Sequence, residues 1–207
     1  MRSLFVSILL FASLLAVPAH ALWLPEADQK TVGQIETYLN SIKTLKSHFL
    51  QATSQGGFTE GTLYISRPGK LRFIYDNAPF QLIADGTWLI YEDTELDQVS
   101  YLPLDSTPAA VLVDDKIKLD GDKLKLTSFN RKRGLLVVGL VQTGNPDAGA
   151  VSLVFNENPI FLRQWEIVDP QGLHTVVTLE NPQTGIEIDD KLFKYKDKRH
   201  EFHPGQD

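Results

Sequence analysis

Residues 61–75 read Gly61-Thr62-Leu63-Tyr64-Ile65-Ser66-Arg67-Pro68-Gly69-Lys70-Leu71-Arg72-Phe73-Ile74-Tyr75. Apolar side chains fall at every second position on both sides of Arg67-Pro68-Gly69, which carries the proline and glycine of a tight turn. Period two puts Leu71, Phe73 and Tyr75 on one face of the second run. The same texture continues outward. Alternating runs, or runs rich in aromatic and β-branched residues, recur at 81–84, 87–91, 98–102, 123–129, 135–142, 150–156, 161–168, 173–180 and 192–195. Between them lie Asn77-Ala78-Pro79, Asp85-Gly86, Gly144-Asn145-Pro146, Asn158-Pro159, Pro170-Gln171-Gly172 and Asn181-Pro182, all with turn chemistry. Strands at a spacing of about ten residues, with no alternation of strand and helix, predict a mainly β chain: one antiparallel sheet, strongly curled or closed into a barrel. No linker divides it.

Two helical segments interrupt the strands. Upstream, Val32, Ile35, Leu39, Ile42, Leu45 and Phe49 recur at helical spacing, with Gln34, Glu36, Asn40, Lys43 and Lys46 on the other face. Thr31 and Gln34 fit a capping box, so the spacing predicts a helix from Thr31 to about Ala52, stopped before Gly56-Gly57. The second segment is Ser106-Thr107-Pro108-Ala109-Ala110-Val111-Leu112-Val113, with Thr107 as N-cap, Pro108 at the first position and Asp114-Asp115 ending it. A helix this short is unstable alone and must lie on an apolar surface, most simply the face of the curled sheet.

Composition removes several function classes. The 207 residues contain no cysteine, which excludes disulfides, Cys-ligated metals, a thiol nucleophile and a lipid anchor on this chain. With 26 acidic against 20 basic residues the net charge is −6, so nucleic acid is not an expected partner. Arg2 precedes an apolar run over residues 4–17 that ends in Pro18-Ala19-His20-Ala21, the small-x-small pattern of signal-peptidase cleavage. Removal of residues 1–21 leaves residues 22–207, 186 in number, as one secreted domain large enough to bury a core without disulfides. In a Gram-negative cell its place is the periplasm.

Phe58, Tyr64, Phe73, Tyr75, Phe80, Trp88, Tyr91 and Tyr101 crowd into less than a quarter of the chain. Such residues either fill a β core or line a cavity for an apolar ligand. The order of motifs resembles the LolA-type outer-membrane lipoprotein carriers. It comprises Phe49-Leu50-Gln51, the stretch Gly61–Tyr75 with its Arg67-Pro68, then Ala84-Asp85-Gly86-Thr87-Trp88-Leu89-Ile90-Tyr91 and Leu96-Asp97-Gln98-Val99. The Thr107–Val113 helix and Leu192-Phe193 follow in order. The resemblance spans the mature chain, is most specific from Phe49 to Val113, and departs after Phe193, where a short polar tail replaces a longer one.

That resemblance implies an incomplete, half-closed barrel with a helical lid over an apolar cavity, shielding the acyl chains of lipoproteins. It implies delivery from an inner-membrane lipoprotein-releasing ABC transporter to an outer-membrane lipoprotein receptor, by a monomeric periplasmic chaperone. It assigns Arg67 to gating, by hydrogen bonds to the backbone of the closed lid. Leu71, Phe73, Tyr75, Trp88 and Ile90 become the cavity-lining candidates, and Pro108, Val111 and Leu112 the lid helix. The alternatives are a carrier of the same fold for another lipid, such as a glycolipid or polyketide lipid, and a periplasmic interaction or sensor protein with a filled barrel.

The chain lacks a Gly-x-Ser-x-Gly elbow, a P-loop, a dinucleotide fingerprint and a His-Glu-x-x-His pair. His48 and His174 read as structural or solvated. The acids Glu92, Asp93, Glu95 and Asp97 cluster at a turn, and Asn130-Arg131-Lys132-Arg133 reads as a solvated hairpin. His200 and His203 lie in the tail. No enzyme activity, cofactor or metal is expected.

Overall fold

The computed structural model describes residues 22–197, so the signal peptide expected at 1–21 and the His200/His203 tail lie outside the described residues. Helix α1 (Glu26–Ser41) is followed by strands β1 (Thr44–Thr53), β2 (Phe58–Ser66), β3 (Lys70–Tyr75), β4 (Phe80–Asp85), β5 (Trp88–Asp93) and β6 (Gln98–Pro103). After the short helix α2 (Ala110–Val113) come β7 (Leu124–Lys132), β8 (Leu135–Gln142), β9 (Ala150–Glu157), β10 (Ile160–Val168) and β11 (His174–Thr184). The eleven strands form one sheet in the order β6-β5-β4-β3-β2-β1-β11-β10-β9-β8-β7, and every pairing is antiparallel. The first and last strands pair at its centre. Its edges, β6 and β7, are joined by residues 104–123, which carry α2 across the opening. The sheet is curled but unclosed, as the half-closed barrel requires.

One face is dry. Phe49, Leu63, Leu136, Val138, Leu140, Leu153, Phe155 and Trp165 are buried there at 1% exposure or less, and Ile35 and Leu39 of α1 join the same cluster. The β2–β3 hairpin is held close by a missing side chain: a Cβ on Gly61 would sit 2.0 Å from the Ile74 carbonyl oxygen. Register pairs Gly61 with Phe49 on one side and Tyr75 on the other, whose rings meet edge-on at 5.3 Å. Among the described residues no helix is long and apolar enough to cross a membrane.

Four local expectations need correction. The first helix spans 26–41 rather than 31–52: it turns extended at Ile42 and continues as β1. Leu45 and Phe49 are four apart, a spacing that fits period two as well as 3.6, and in β1 they point inward with Ser47. The capping box is absent, because the helix starts after Pro25 with Glu26 and Asp28 in its first turn, where negative charge suits the helix dipole. Thr31 instead lies inside the helix, its hydroxyl donating to the Ala27 carbonyl. The second helix is only Ala110–Val113, and the Thr107 hydroxyl donates back to Leu104 rather than capping it. Residues 192–195 form no strand. Asp189 accepts from the Lys191 amide and closes a 3-10 turn at Asp190–Phe193, which buries Phe193 at 2% exposure.

Candidate functional site

The concave face of the sheet and the elements that cover it bring together all of the sequence-predicted site residues except Trp88 and Ile90. Ladder register aligns Ile65, Leu71, Ala84 and Leu89 in one inward row, and Leu63, Phe73, Leu82 and Tyr91 in the next. Leu71 and Phe73 are buried, and Tyr75 is half-buried with its hydroxyl donating to Gln51 Oε1 at 3.1 Å. Burial pushes the Tyr75 phenol well above its usual range, so it remains a neutral donor. From these residues an aromatic column runs outward. Phe49 meets Phe73 at 4.8 Å, Tyr75 meets Phe80 at 4.5 Å, and Phe80 meets Tyr91 at 5.9 Å. Phe49 is fully enclosed, while Tyr91 is 38% exposed.

Trp88 and Ile90 are not on this face. Ile90 pairs with Ile83, and Ile83 with Arg72, which places them on the convex side. There Ile83 and Ile90 are both buried, and the 190–193 turn lies against β3 and β4. Arg72 donates to the Leu192 carbonyl and to Gln81 Oε1, Gln81 donates to Glu92, and Tyr195 donates to Glu92 Oε1. Both faces of β5 are therefore apolar, and the run Trp88-Leu89-Ile90-Tyr91 offers no polar alternation to set its phase. Trp88, 41% exposed, instead borders a groove of about 930 Å³ beside α2, together with Gly69, Leu104, Val111, Val113 and Leu124.

The inward face is plugged by the chain itself. Ile35 and Leu39 of α1, Val111, Leu112 and Val113 of α2, and Ile117 and Leu119 beyond it are each 3% exposed or less. Pro108 is half-buried at the start of this segment. Arg67 stands where the two helices meet the sheet. Its Nε donates to the Leu112 carbonyl at 2.9 Å, and Nη1 donates to the Leu39 carbonyl. Both acceptors are last-turn carbonyls outside the regular helix ladder, the Leu39 oxygen also taking the Ile42 cap amide at 3.3 Å, and a forked cation suits them. Next to it, the Gly69 amide donates to the Val113 carbonyl at 2.8 Å. Gly69 takes φ +79°, and a Cβ there would lie 2.8 Å from the Gly86 Cα. Burial lowers the Arg67 guanidinium to about 10, partly offset by the nearby Asp114 carboxylate, so it stays charged at neutral pH.

Other covering contacts escaped the sequence. Arg131 of β7 reaches Thr31 Oγ1 at 2.8 Å and pairs with Asp28 at 3.3 Å and Glu157 at 3.2 Å, which pins the start of α1. The Tyr38 hydroxyl accepts from the Leu162 amide, at a point where the β9–β10 register shifts. Gln142 donates to the Asp105 and Thr107 carbonyls. Ile117 and Leu119 had a legible signal, two apolar residues in alternation between Asp114-Asp115 and Asp120-Gly121. Arg131, Tyr38 and Gln142 had none, because their partners are distant in sequence.

Comparison with known proteins adds to this geometry. Residues 40–196 match the family model described as outer membrane lipoprotein carrier protein LolA. The chain is similar to the outer-membrane lipoprotein carrier protein of Methylococcus capsulatus, with 27% identity covering 82% of this chain and 85% of that one. It is 32% identical to the protein of the same name from Pseudomonas syringae pv. syringae, over 85% of this chain and 84% of that one. A crystal structure of a DUF1329 family protein from Desulfovibrio piger shares the fold, with a TM-score of 0.51 at 9% identity, covering 82% of this chain and 97% of that one.

Proposed function

Since the chain belongs to the LolA family of outer-membrane lipoprotein carriers, we propose that it carries acylated lipoproteins through the periplasm, with the Arg67-latched lid as its gate. The inner-membrane ABC transporter loads it and an outer-membrane receptor unloads it. The observation that carries the reading is the Arg67 fork, which ties α1 and α2 to the sheet over an apolar concave face.

The energetics make such a gate necessary. Each buried CH₂ gains about 0.8 kcal/mol, so one acyl chain of typical length gains on the order of 10 kcal/mol by leaving water. A carrier that offered only a vacant apolar trough would hold such cargo without releasing it. Here the trough is filled in the closed state by seven aliphatic side chains of the lid. At about 1.5–3 kcal/mol each, they bury an amount of the same order as one or two acyl chains. Cargo and lid therefore compete for one surface, and a modest bias decides between them, since a ligand shifts a two-state element only by its differential affinity. Leu71, Phe73 and Tyr75 line the surface that the acyl chains would take over, and Val111 and Leu112 are the side chains displaced. Trp88 and Ile90 have no place in that lining.

The test is to purify the protein from periplasm without detergent and identify by native mass spectrometry whatever travels with it. Release of lipoproteins from spheroplasts is assayed in parallel. A bound acylated lipoprotein and efficient release are expected. A bound free lipid, or an empty protein that releases nothing, would overturn the proposal.

A further inference from the structure

We infer that α1 and the segment 110–119 open as one body, with Asn40 and Glu36 as the positioning residues that couple them. The inference rests on the carrier reading for its consequence, an all-or-none gate for cargo, but the coupling itself is a property of the protein alone.

Ile117 and Leu119 insert into the core at 2% and 0% exposure from a stretch that is neither helix nor strand. Buried peptide groups there need partners, and α1 supplies them. The Asn40 carboxamide holds both peptide groups of one residue: Nδ2 donates to the Ile117 carbonyl and Oδ1 accepts from the Ile117 amide, each at 2.8 Å. One turn earlier on α1, Glu36 Oε1 accepts from the Leu119 amide at 2.8 Å. Residues four apart on a helix share a face, so α1 presents to the segment the donor and acceptor spacing a neighbouring strand would offer. Lys118 Nζ closes the arrangement from the surface, 3.9 Å from Glu36 Oε2.

Separation is costly from either side. If α1 lifted alone, the Ile117 and Leu119 peptide groups would remain in an apolar interior without partners. If the segment lifted alone, the part-buried Glu36 carboxylate and the Asn40 amide oxygen would lose the Leu119 and Ile117 amides, and the Asn40 Nδ2 would keep only its bond to the Glu36 carbonyl. Either outcome leaves desolvated polar groups unpaired, which joint opening avoids. Arg67 grips the same two elements from the sheet side. Its loss would loosen the lid without dividing it.

Native-state hydrogen exchange on the cargo-free full chain, at increasing sub-denaturing urea, tests this directly. In the wild type, the α1 amides, the Leu112 and Asp114 amides (bonded to the Ala109 and Ala110 carbonyls) and the Leu119 amide are expected to converge on one opening free energy and one urea slope. In Asn40→Ala, Leu112 and Asp114 are expected to exchange about tenfold faster than α1, with separated slopes. Glu36→Gln keeps an acceptor at Oε1 and is expected to preserve convergence. Different slopes in the wild type, or equal acceleration of both groups by Asn40→Ala, would overturn the inference. If Asn40→Ala does not fold, the wild-type isotherms alone decide. Absence of bound lipoprotein would refute the carrier reading and leave the exchange result standing.

Discussion

Replacing Arg67 by leucine removes two charge-assisted hydrogen bonds, to Leu112 and Leu39. Hydrogen bonds of this kind are worth about 1.5–3 kcal/mol each, and a buried leucine returns part of the loss through apolar contact. A net weakening of the closed lid by about 3 kcal/mol follows, roughly a hundredfold in the closed-to-open ratio. The sheet has its own core, so the variant is expected to fold. Its affinity for cargo should rise, because less work is needed to displace the lid. Handover should slow by a similar factor, because on the proposed mechanism re-closure drives acyl chains out. The assay has two stages: capture of lipoproteins released from spheroplasts, then transfer to acceptor outer membranes. Normal or enhanced capture with transfer reduced about a hundredfold is expected from that ratio. Arg67→Lys should fall between, since one ammonium cannot span carbonyls on two elements and burial disfavours its charge. Wild-type transfer by Arg67→Leu, or unchanged exchange protection in its α1, would rule out a latch at Arg67.

Three further outcomes are expected. Arg131→Ala removes ion pairs that are substantially exposed, with the arginine side chain itself at 41%, so it should speed α1 exchange less than about tenfold and abolish most of its salt dependence; an effect as large as that of Arg67→Leu would contradict this ranking. Gly61→Ala forces a methyl group against the Ile74 carbonyl, so a cost of about 3 kcal/mol and a fall in Tm of roughly 6–12 °C are expected in a thermal melt. Cargo transfer should show no titration of Arg67 between about pH 6 and 8, because burial lowers its guanidinium only to about 10. The closed lid binds that proton less tightly than the open lid, where Arg67 regains water, so raising the pH through about 10 favours closure. Protection of the Leu112 and Asp114 amides, corrected for intrinsic exchange, should rise there; a fall would reverse the sign.

The sheet was legible because its strands alternate and its turns carry proline and glycine, which needs no knowledge of distant partners. The α1–β1 junction was not. Val32, Ile35, Leu39 and Ile42 are helical in spacing, and Leu45 and Phe49 prolong that spacing by coincidence of a four-residue step. The phase of β5 was hidden for a different reason, since Ile90 on its convex side is buried as deeply as the inward Leu89, which removes the polar half of the alternation. Arg67 reads from its neighbours alone as a turn residue; the family resemblance singled it out, and its two carbonyl acceptors are 28 and 45 residues away. Asn40 lies on the polar face of its helix, and its significance depends on a peptide group 77 residues along the chain. Side-chain–backbone contacts of that range leave no periodic trace.

The unclosed topology bears on the same proposal. A closed barrel fixes its radius through strand number and shear, so its interior cannot expand without breaking ladder hydrogen bonds. Here the two edges, β6 and β7, are joined only by the connecting segment that carries α2. Withdrawing that segment together with α1 removes the plug and frees the edges at once, and breaks no strand pairing. On the proposed function, such an interior could take acyl chains of different number and length. The cost is a pair of edge strands with unpaired backbone groups, a hazard that short length and polar positions reduce in β6, which is six residues long with Ser100 and a terminal Pro103. An aqueous carrier for bulky apolar cargo needs a surface that is large when loaded and small when empty. A curled sheet closed by its own connecting segment meets both demands with one movement.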